Sequence, residues 1–180
     1  MKKTIGLKRG TVKLNKHNSN WVKLFKKESN LLLKKFPSII TEISHGGSTA
    51  IPTIPAKPII DMFAIVPSLK KTELIKKDLE KMGYGYHGEE GVRGRILYVK
   101  GKSELKTYHL QLCEKRSDEW KNHLLIKNYF LKNPKEVKKY AGLKMKLAKK
   151  YPNDRKLYSN GKDAFIKSII KKAKRENYKL

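Results

Sequence analysis

Ser44-His45-Gly46-Gly47-Ser48-Thr49-Ala50-Ile51-Pro52, followed by Ala56-Lys57-Pro58-Ile59-Ile60-Asp61, is the stretch on which the reading of this chain turns. Lysine, leucine and isoleucine in helical rhythm make up most of the sequence, and here that rhythm stops. Two glycines let backbone N–H groups and a hydroxyl converge with no Cβ to hold a ligand away. A helical turn starting at Ser48 would add its N-terminal amides as an anion site. Asp61 stands 13 residues beyond Ser48, in a run otherwise built of Ile59, Ile60, Met62, Phe63, Ile65 and Val66. Such a run reads as a central strand buried on both faces, where an unpaired carboxylate is costly. Asp61 therefore lies at the strand's end holding a cation, or it is paired with a base such as Lys57 or Arg95.

Outward from this stretch the pattern is mixed. Upstream, residues 11–14 read as a short strand. A helix from Ser19 to Phe36 follows, with Trp21, Leu24, Phe25, Leu31, Leu32 and Phe36 as its apolar stripe, Ser19 or Asn20 as cap and Pro37 as stop. Residues 39–45 make a strand running into the glycine turn, and residues 58–66 make the next. A helix spans 68–82 on Leu69, Leu74, Leu79 and Met82, and Gly83 ends it. Strand-like segments follow at 85–88, 93–100 and 106–114, the last two forming an antiparallel hairpin around Gly101-Lys102-Ser103. From Ser117 onward everything is helical. Trp120, Leu124, Ile126, Tyr129 and Phe130 line a first helix, Val137, Tyr140, Leu143 and Leu147 a second, and Leu157, Phe165, Ile166 and Ile169 a third. The expected class is α+β: a mixed sheet flanked by helices over about residues 1–115, then a helical bundle over about 116–178, within one domain spanning 1–180.

Composition narrows the function classes. The 180 residues hold 43 basic and 16 acidic side chains, a net charge of +27. A field of that sign attracts nucleic acid or phosphorylated small molecules. Only Arg9, Arg93, Arg95, Arg116, Arg155 and Arg175 are arginines, whereas bidentate base reading relies on arginine. The lysines are spread over several helices, so a coat of solvated lysine and a nucleic-acid surface both stay open. The one cysteine, Cys113, can form no internal bridge and suits a reducing cytoplasm. Met1-Lys2-Lys3-Thr4-Ile5-Gly6 lacks the apolar core of a signal peptide. No run approaches the roughly 20 apolar residues of a membrane span. His17, His87 and His123 show no metal spacing, and Trp21 and Trp120 read as core residues. Walker, Rossmann and G-x-S-x-G patterns are absent.

The run from His45 to Pro52 and then from Ala56 to Asp61 resembles the signature of the GrpB family, H-x-G-S-T-A-V-P-G-L-x-A-K-P-I-I-D. The likeness extends to Leu7-Lys8-Arg9-Gly10-Thr11-Val12, to Trp21 with Phe25 and Glu28, and to Gly83-Tyr84, Gly94-Arg95 and Tyr108-His109-Leu110. It continues in Leu143-Lys144, Tyr158 and Lys162 with Phe165. The family is placed in the nucleotidyltransferase superfamily and occurs fused to dephospho-CoA kinase in some bacteria. The resemblance implies a nucleotidyltransferase-like fold in which Gly47, Ser48 and Thr49 meet nucleotide phosphates and Lys57, Arg95 or Lys162 counter charge. It also implies Asp61 as a magnesium ligand and His109 as a second ligand or general base.

Two departures qualify that expectation. The superfamily places two acids at i and i+2 on a strand, projecting from one face to share a pair of metal ions. Here position i+2 is Phe63. The family often carries His-x-His in the segment 108–114, where this chain has His109 and Gln111. Mg²⁺ arriving with a nucleoside triphosphate is thus expected over Mg²⁺ held by the protein alone. Three readings follow: nucleotidyl transfer to an acceptor, a non-catalytic module binding a nucleotide or coenzyme A, and an RNA-associated protein.

Overall fold

The computed structural model describes residues 5–102 and 104–178. Met1 to Thr4 and Ser103 of the expected turn lie outside the described residues. The elements run β1 (Leu7–Lys8), α1 (Asn20–Lys35), β2 (Glu42–Gly46), β3 (Ile60–Val66), α2 (Glu73–Lys81), β4 (Tyr84–Tyr86), β5 (Arg95–Lys100), β6 (Leu105–Lys106) and β7 (Tyr108–Glu114). Helices α3 (Asp118–Lys132), α4 (Pro134–Lys150) and α5 (Arg155–Arg175) complete the chain. The class is α+β. Five strands form one mixed sheet in the order β2-β3-β7-β5-β4, and β1 pairs with β6 apart from it. β3 and β7 run parallel, with Asp61 opposite His109 and Phe63 opposite Gln111. β2 pairs antiparallel with β3, bringing Gly46 beside Asp61.

The period of two divides this sheet cleanly. Ile60, Met62, Ala64, Val66, Leu110 and Leu112 face Trp21 and Leu32 of α1, Phe36 just past its end, and Ile75 and Leu79 of α2. Both faces of β3 are covered, which explains its nearly unbroken apolar run. On the second face Trp120 of α3 packs with Phe63, Ile65 and Cys113, while Asp61 and His109 lie beyond that cluster. Leu32 is fully buried, and truncating such a leucine to alanine costs about 2–5 kcal/mol. A separate core joins Tyr129, Phe130, Val137, Tyr140 and Ile169 of the helices to Ile51 and Ile54, which follow the glycine turn. That insertion anchors the turn to the bundle. The helices start on recognisable caps: Ser117 Oγ accepts from Trp120 N–H, Pro134 opens α4, and Asp154 Oδ1 accepts from Leu157 N–H.

Several local expectations are corrected. Residues 11–14 form no strand, because Val12 N–H bonds Pro152 O and Asn15 makes an isolated bridge to Ala56. The first strand is Leu7–Lys8, and the segment after it is drawn across to the helical part. The strand expected from 39 starts at Glu42, since the N–H groups of Ile39 and Ile40 bond back to Phe36 O. The helix expected over 68–82 opens as a 3-10 turn, Leu69–Thr72, before α2 begins. Asn18 Oδ1, not Ser19 or Asn20, accepts the first free N–H of α1, that of Asn20. Leu31, Leu74 and Leu157 face solvent instead of the core, Leu74 being 74% exposed while Ile75 takes the buried position. The strand expected at 85–88 is Tyr84–Tyr86. No helix among the described residues is long and apolar enough to cross a membrane.

Candidate functional site

β2 ends at Gly46, and the backbone turns at Gly47 with φ 61° and ψ −169°, a region open essentially to glycine alone. A Cβ on Gly47 would stand 2.1 Å from Asp61 Oδ2, and one on Gly46 would stand 2.4 Å from the Phe63 ring. The two glycines therefore let the turn lie against the Asp61 carboxylate and the Phe63 ring. Ser48–Ala50 is one 3-10 turn, too short to align the peptide dipoles of a helix. Attraction for an anion must come chiefly from side chains. His45, on the opposite face of β2, is stacked on Phe25 at 4.5 Å and hydrogen-bonded to Thr49 Oγ1 at 3.0 Å. Thr49 lines the cavity, but its hydroxyl is engaged by His45.

Asp61 pairs with neither Lys57 nor Arg95 in a direct bond. Its Oδ1 lies 2.8 Å from His109 Nδ1, across the parallel β3–β7 register. Arg155 Nη2, from the first turn of α5, is 3.3 Å from His109 Nε2. With an ionised carboxylate on one side and a guanidinium on the other, the imidazole is neutral, donating from Nδ1 and accepting at Nε2. Burial lowers the His109 pKa, and the charges of Arg155 and Lys57 work in the same direction against the pull of Asp61. Burial works to raise Asp61, yet the His109 hydrogen bond and nearby Lys57 and Arg155 hold it well below the usual carboxylate range.

Cations crowd this pair. Lys57 and Lys162 place their ammonium groups 5.3 and 4.6 Å from the Tyr158 ring centre. Lys144 donates to Pro55 O. Burial, reinforced by neighbouring cations, lowers Lys57 and Lys144 to about 7 and lowers Lys162 as well. Arg95 donates to Gln111 Oε1, and its buried Nε has no partner among the described residues. Gly47, Ser48, Lys57, Asp61, Arg95, His109 and Lys162 all line a single cavity of about 330 Å³. That cavity opens beside a wider cleft that also holds Arg9, Lys106 and Lys156 and shares Asp61, His109, Arg95 and Arg155. The resemblance-derived residues are thus brought together, Thr49 with its hydroxyl turned away.

The donor set can be tested against magnesium. Asp61 is the one carboxylate lining the cavity, one of its oxygens is taken by His109, and lysine and arginine surround it. Among the described residues no group of three or more His, Cys, Asp or Glu side chains could hold a metal ion. Magnesium prefers several hard oxygen ligands, so these residues do not fit a protein-held Mg²⁺ site. Phe63 is stacked on His123 with ring centres 4.0 Å apart, where a second acid would stand.

Tyr140, Lys144, Arg155 and Tyr158 are among the further residues that build the cavity. Lys144 left a trace in the sequence, for Val137, Tyr140, Lys144 and Leu147 share one helical stripe and put a lysine in a buried register. Arg155, Tyr158, Ser159 and Lys162 recur at i, i+3, i+4 and i+7 on α5 in the same way. Nothing in their spacing shows that this polar stripe lands on the glycine turn. His123, whose spacing suggests no metal site, reaches Ser44 Oγ at 2.9 Å and backs Phe63.

Comparison with known proteins bears on this geometry. The GrpB protein family profile matches residues 11–172. The chain belongs to the GrpB family. It is 36% identical over 170 residues to the Glutamate-rich protein GrpB of Alkalihalophilus pseudofirmus, covering 92% of this chain and 98% of that protein. The UPF0157 protein YqkA of Bacillus subtilis is also 36% identical, over 88% of this chain, which spans 46% of that longer protein. The crystal structure of the conserved protein GrpB from Enterococcus faecalis superposes with a TM-score of 0.85 at 33% identity. It covers 93% of this chain and 100% of that one. Family membership and the α+β architecture thus agree with the expectation from the glycine-turn motif.

Proposed function

We propose that the basic cavity binds the phosphates of a nucleotide or of another phosphorylated small molecule, in a nucleotidyltransferase-like arrangement. One observation carries this reading. Lys57, Lys144, Lys162, Arg95 and Arg155 converge on a cavity with a single carboxylate, and that carboxylate is already neutralised by its surroundings. Cations in such excess, Lys144 buried and the other four half-buried, repel one another until an anion joins them. A phosphate accepting from two or three of them gains charge-assisted bonds of about 1.5–3 kcal/mol each. Ser48 adds a hydroxyl at the turn. Mg²⁺ enters this scheme only as the counter-ion of a triphosphate, and the net charge of +27 speeds capture of the anion. Cytoplasmic nucleotides are the natural pool for such a site, consistent with the free, buried thiol of Cys113.

Calorimetry with tripolyphosphate, nucleoside triphosphates and coenzyme A, each with and without Mg²⁺, tests the reading. Saturable binding without Mg²⁺, weakened at least about tenfold in Arg155→Ala or Lys162→Met, is the expected result. Absence of saturable binding by every phosphate compound, or binding indifferent to both changes, refutes it. Binding of RNA that persists near physiological salt, with tripolyphosphate inert, would favour the nucleic-acid reading instead.

A second reading, transfer of a nucleotidyl group, rests on His109. Its Nδ1 is held by Asp61, and at its Nε2 an acceptor hydroxyl would take the place that Arg155 Nη2 now holds at 3.3 Å. In that role it takes the proton of an acceptor hydroxyl, the oxygen attacks the α-phosphorus, and pyrophosphate leaves toward Lys57 and Lys162. Pyrophosphate release that disappears in His109→Ala and Asp61→Asn supports transfer. Tight binding with no release across a panel of acceptors leaves the protein a binding module.

A further inference from the structure

A second cavity, of about 280 Å³, lies on the other side of the glycine turn and shares Gly47, Ser48 and Tyr140 with the basic one. Its walls are apolar and partly aromatic: Phe63, Ile126, Phe130, Tyr140 and Ile166. Phe63 is stacked on His123, and Phe130 on Tyr140 at 5.2 Å. Three polar side chains of α3 also line it, Glu119, Asn122 and Lys127. All three are half-buried.

We infer that this chamber holds the heterocyclic base of the ligand whose phosphates occupy the basic cavity. The inference rests on the phosphate reading above and adds to it the class of molecule attached to the phosphates. Gly47, Ser48 and Tyr140 border both chambers, so a ligand with its anionic end in one and a flat apolar end in the other would pass along these three residues. A volume near the lower bound of ligand pockets, roughly 300 Å³, suits one ring system. The polar trio decides between a base and an acyl chain. A chain would cover Glu119 and Asn122 while offering them no partner, which is costly, whereas Lys127 already donates to Ser44 Oγ. The edge of a base presents the donors and acceptors that an amide and a carboxyl group can pair.

Phe63 gains a role in this arrangement. The residue that displaces a second metal-binding acid, together with His123 behind it, forms the wall of the base chamber. Gly46 makes this possible, because any side chain there would strike Phe63 and His123.

The test is calorimetry without Mg²⁺, comparing tripolyphosphate, the four nucleoside triphosphates, and octyl phosphate set against nucleoside monophosphates. At least one nucleoside triphosphate is expected to bind about tenfold or more tighter than tripolyphosphate, the factor that a stacked base supplies. Asn122→Ala and Ile126→Trp should remove that advantage while tripolyphosphate affinity stays within about twofold. Asn122→Ala deletes no core volume, so it remains informative if the larger tryptophan disturbs folding. Equal affinity for nucleotides and tripolyphosphate overturns the base chamber and leaves the phosphate reading standing. Octyl phosphate binding more tightly than every nucleoside monophosphate overturns it in favour of an acyl pocket. If no phosphate compound binds at all, the phosphate reading fails first and the base chamber falls with it.

Discussion

Gly47→Ala probes the contact on which the site is built. Two costs arise. The backbone at φ 61° and ψ −169° is a region from which a Cβ is nearly barred, worth about 1–3 kcal/mol. The new Cβ would also stand 2.1 Å from Asp61 Oδ2 and 2.9 Å from its Cγ, so the carboxylate must swing away. That movement breaks the 2.8 Å bond to His109, which for an ionised acceptor is worth about 1.5–3 kcal/mol. The Asp61 side chain is 29% exposed, so the lower end of that range applies. A double-mutant cycle separates the two costs. In an Asp61→Ala background the carboxylate is gone and only the backbone cost of Gly47→Ala remains. Urea unfolding of the four proteins should show the double variant more stable than the sum of the single changes implies, by about 1–2 kcal/mol. Additivity within about 0.5 kcal/mol would refute the claim that Gly47 is glycine because of Asp61.

Three other outcomes are expected. With the Lys57 pKa lowered by burial to about 7, an anion must restore its proton. Tripolyphosphate affinity should therefore fall as pH rises from 7 to 9, by at most about tenfold per unit for this lysine. Calorimetry in buffers of different ionisation enthalpy should register proton uptake, and Lys57→Met should make the profile shallower, leaving the part due to Lys144, also lowered to about 7. Burial lowers His45 to about 4 and His123 to about 3, so both stay neutral in the fold while the unfolded chain protonates them below about pH 6.5. Their contribution is complete above that pH and is lost as pH falls toward 4 and 3, amounting to about 2–4 kcal/mol by pH 5. Urea midpoints at pH 7 and 5 measure this, and His123→Gln should halve the drop. Finally, Glu28 accepts from Tyr84 Oη at 2.8 Å and from Lys100 Nζ at 2.6 Å. Lys100→Met strands the carboxylate and should cost about 2–3 kcal/mol in thermal or urea unfolding, most of it recovered by adding Glu28→Gln.

How much of this was legible in the sequence depended on the range of the interaction. Local pattern located β3, β7 and the three C-terminal helices to within a few residues, because their apolar periodicity is strong and their caps are conventional. It failed at residues 11–14 and at Leu74 and Leu157, where hydrogen bonds and packing partners distant in the chain decide the outcome. At the site, the glycine turn and Asp61 were visible as a break in composition. The partner of Asp61 was not, because choosing His109 over Lys57 or Arg95 requires the parallel register of β3 and β7. Arg155 and Lys144 were less visible still. A lysine in an apolar stripe signals an unusual environment but says nothing of what lies opposite.

The walls of the basic cavity come from both parts of the chain. Ser48, Asp61 and His109 belong to the strands and their connecting turn, whereas Tyr140, Lys144, Arg155 and Lys162 belong to α4 and α5. Lys57 and Arg95 on the first wall carry the same charge as Lys144, Arg155 and Lys162 on the second, so the two walls repel each other. The proposed polyanion between them would reverse the sign of that force and act as mortar. Occupancy would then be felt far from the phosphates, as slower amide exchange in α5 and tighter docking of the helices on the strands. Against that charge the helical half is held in place by apolar contacts, those of Ile51 and Ile54 with Phe130, Tyr140 and Ile169 among them.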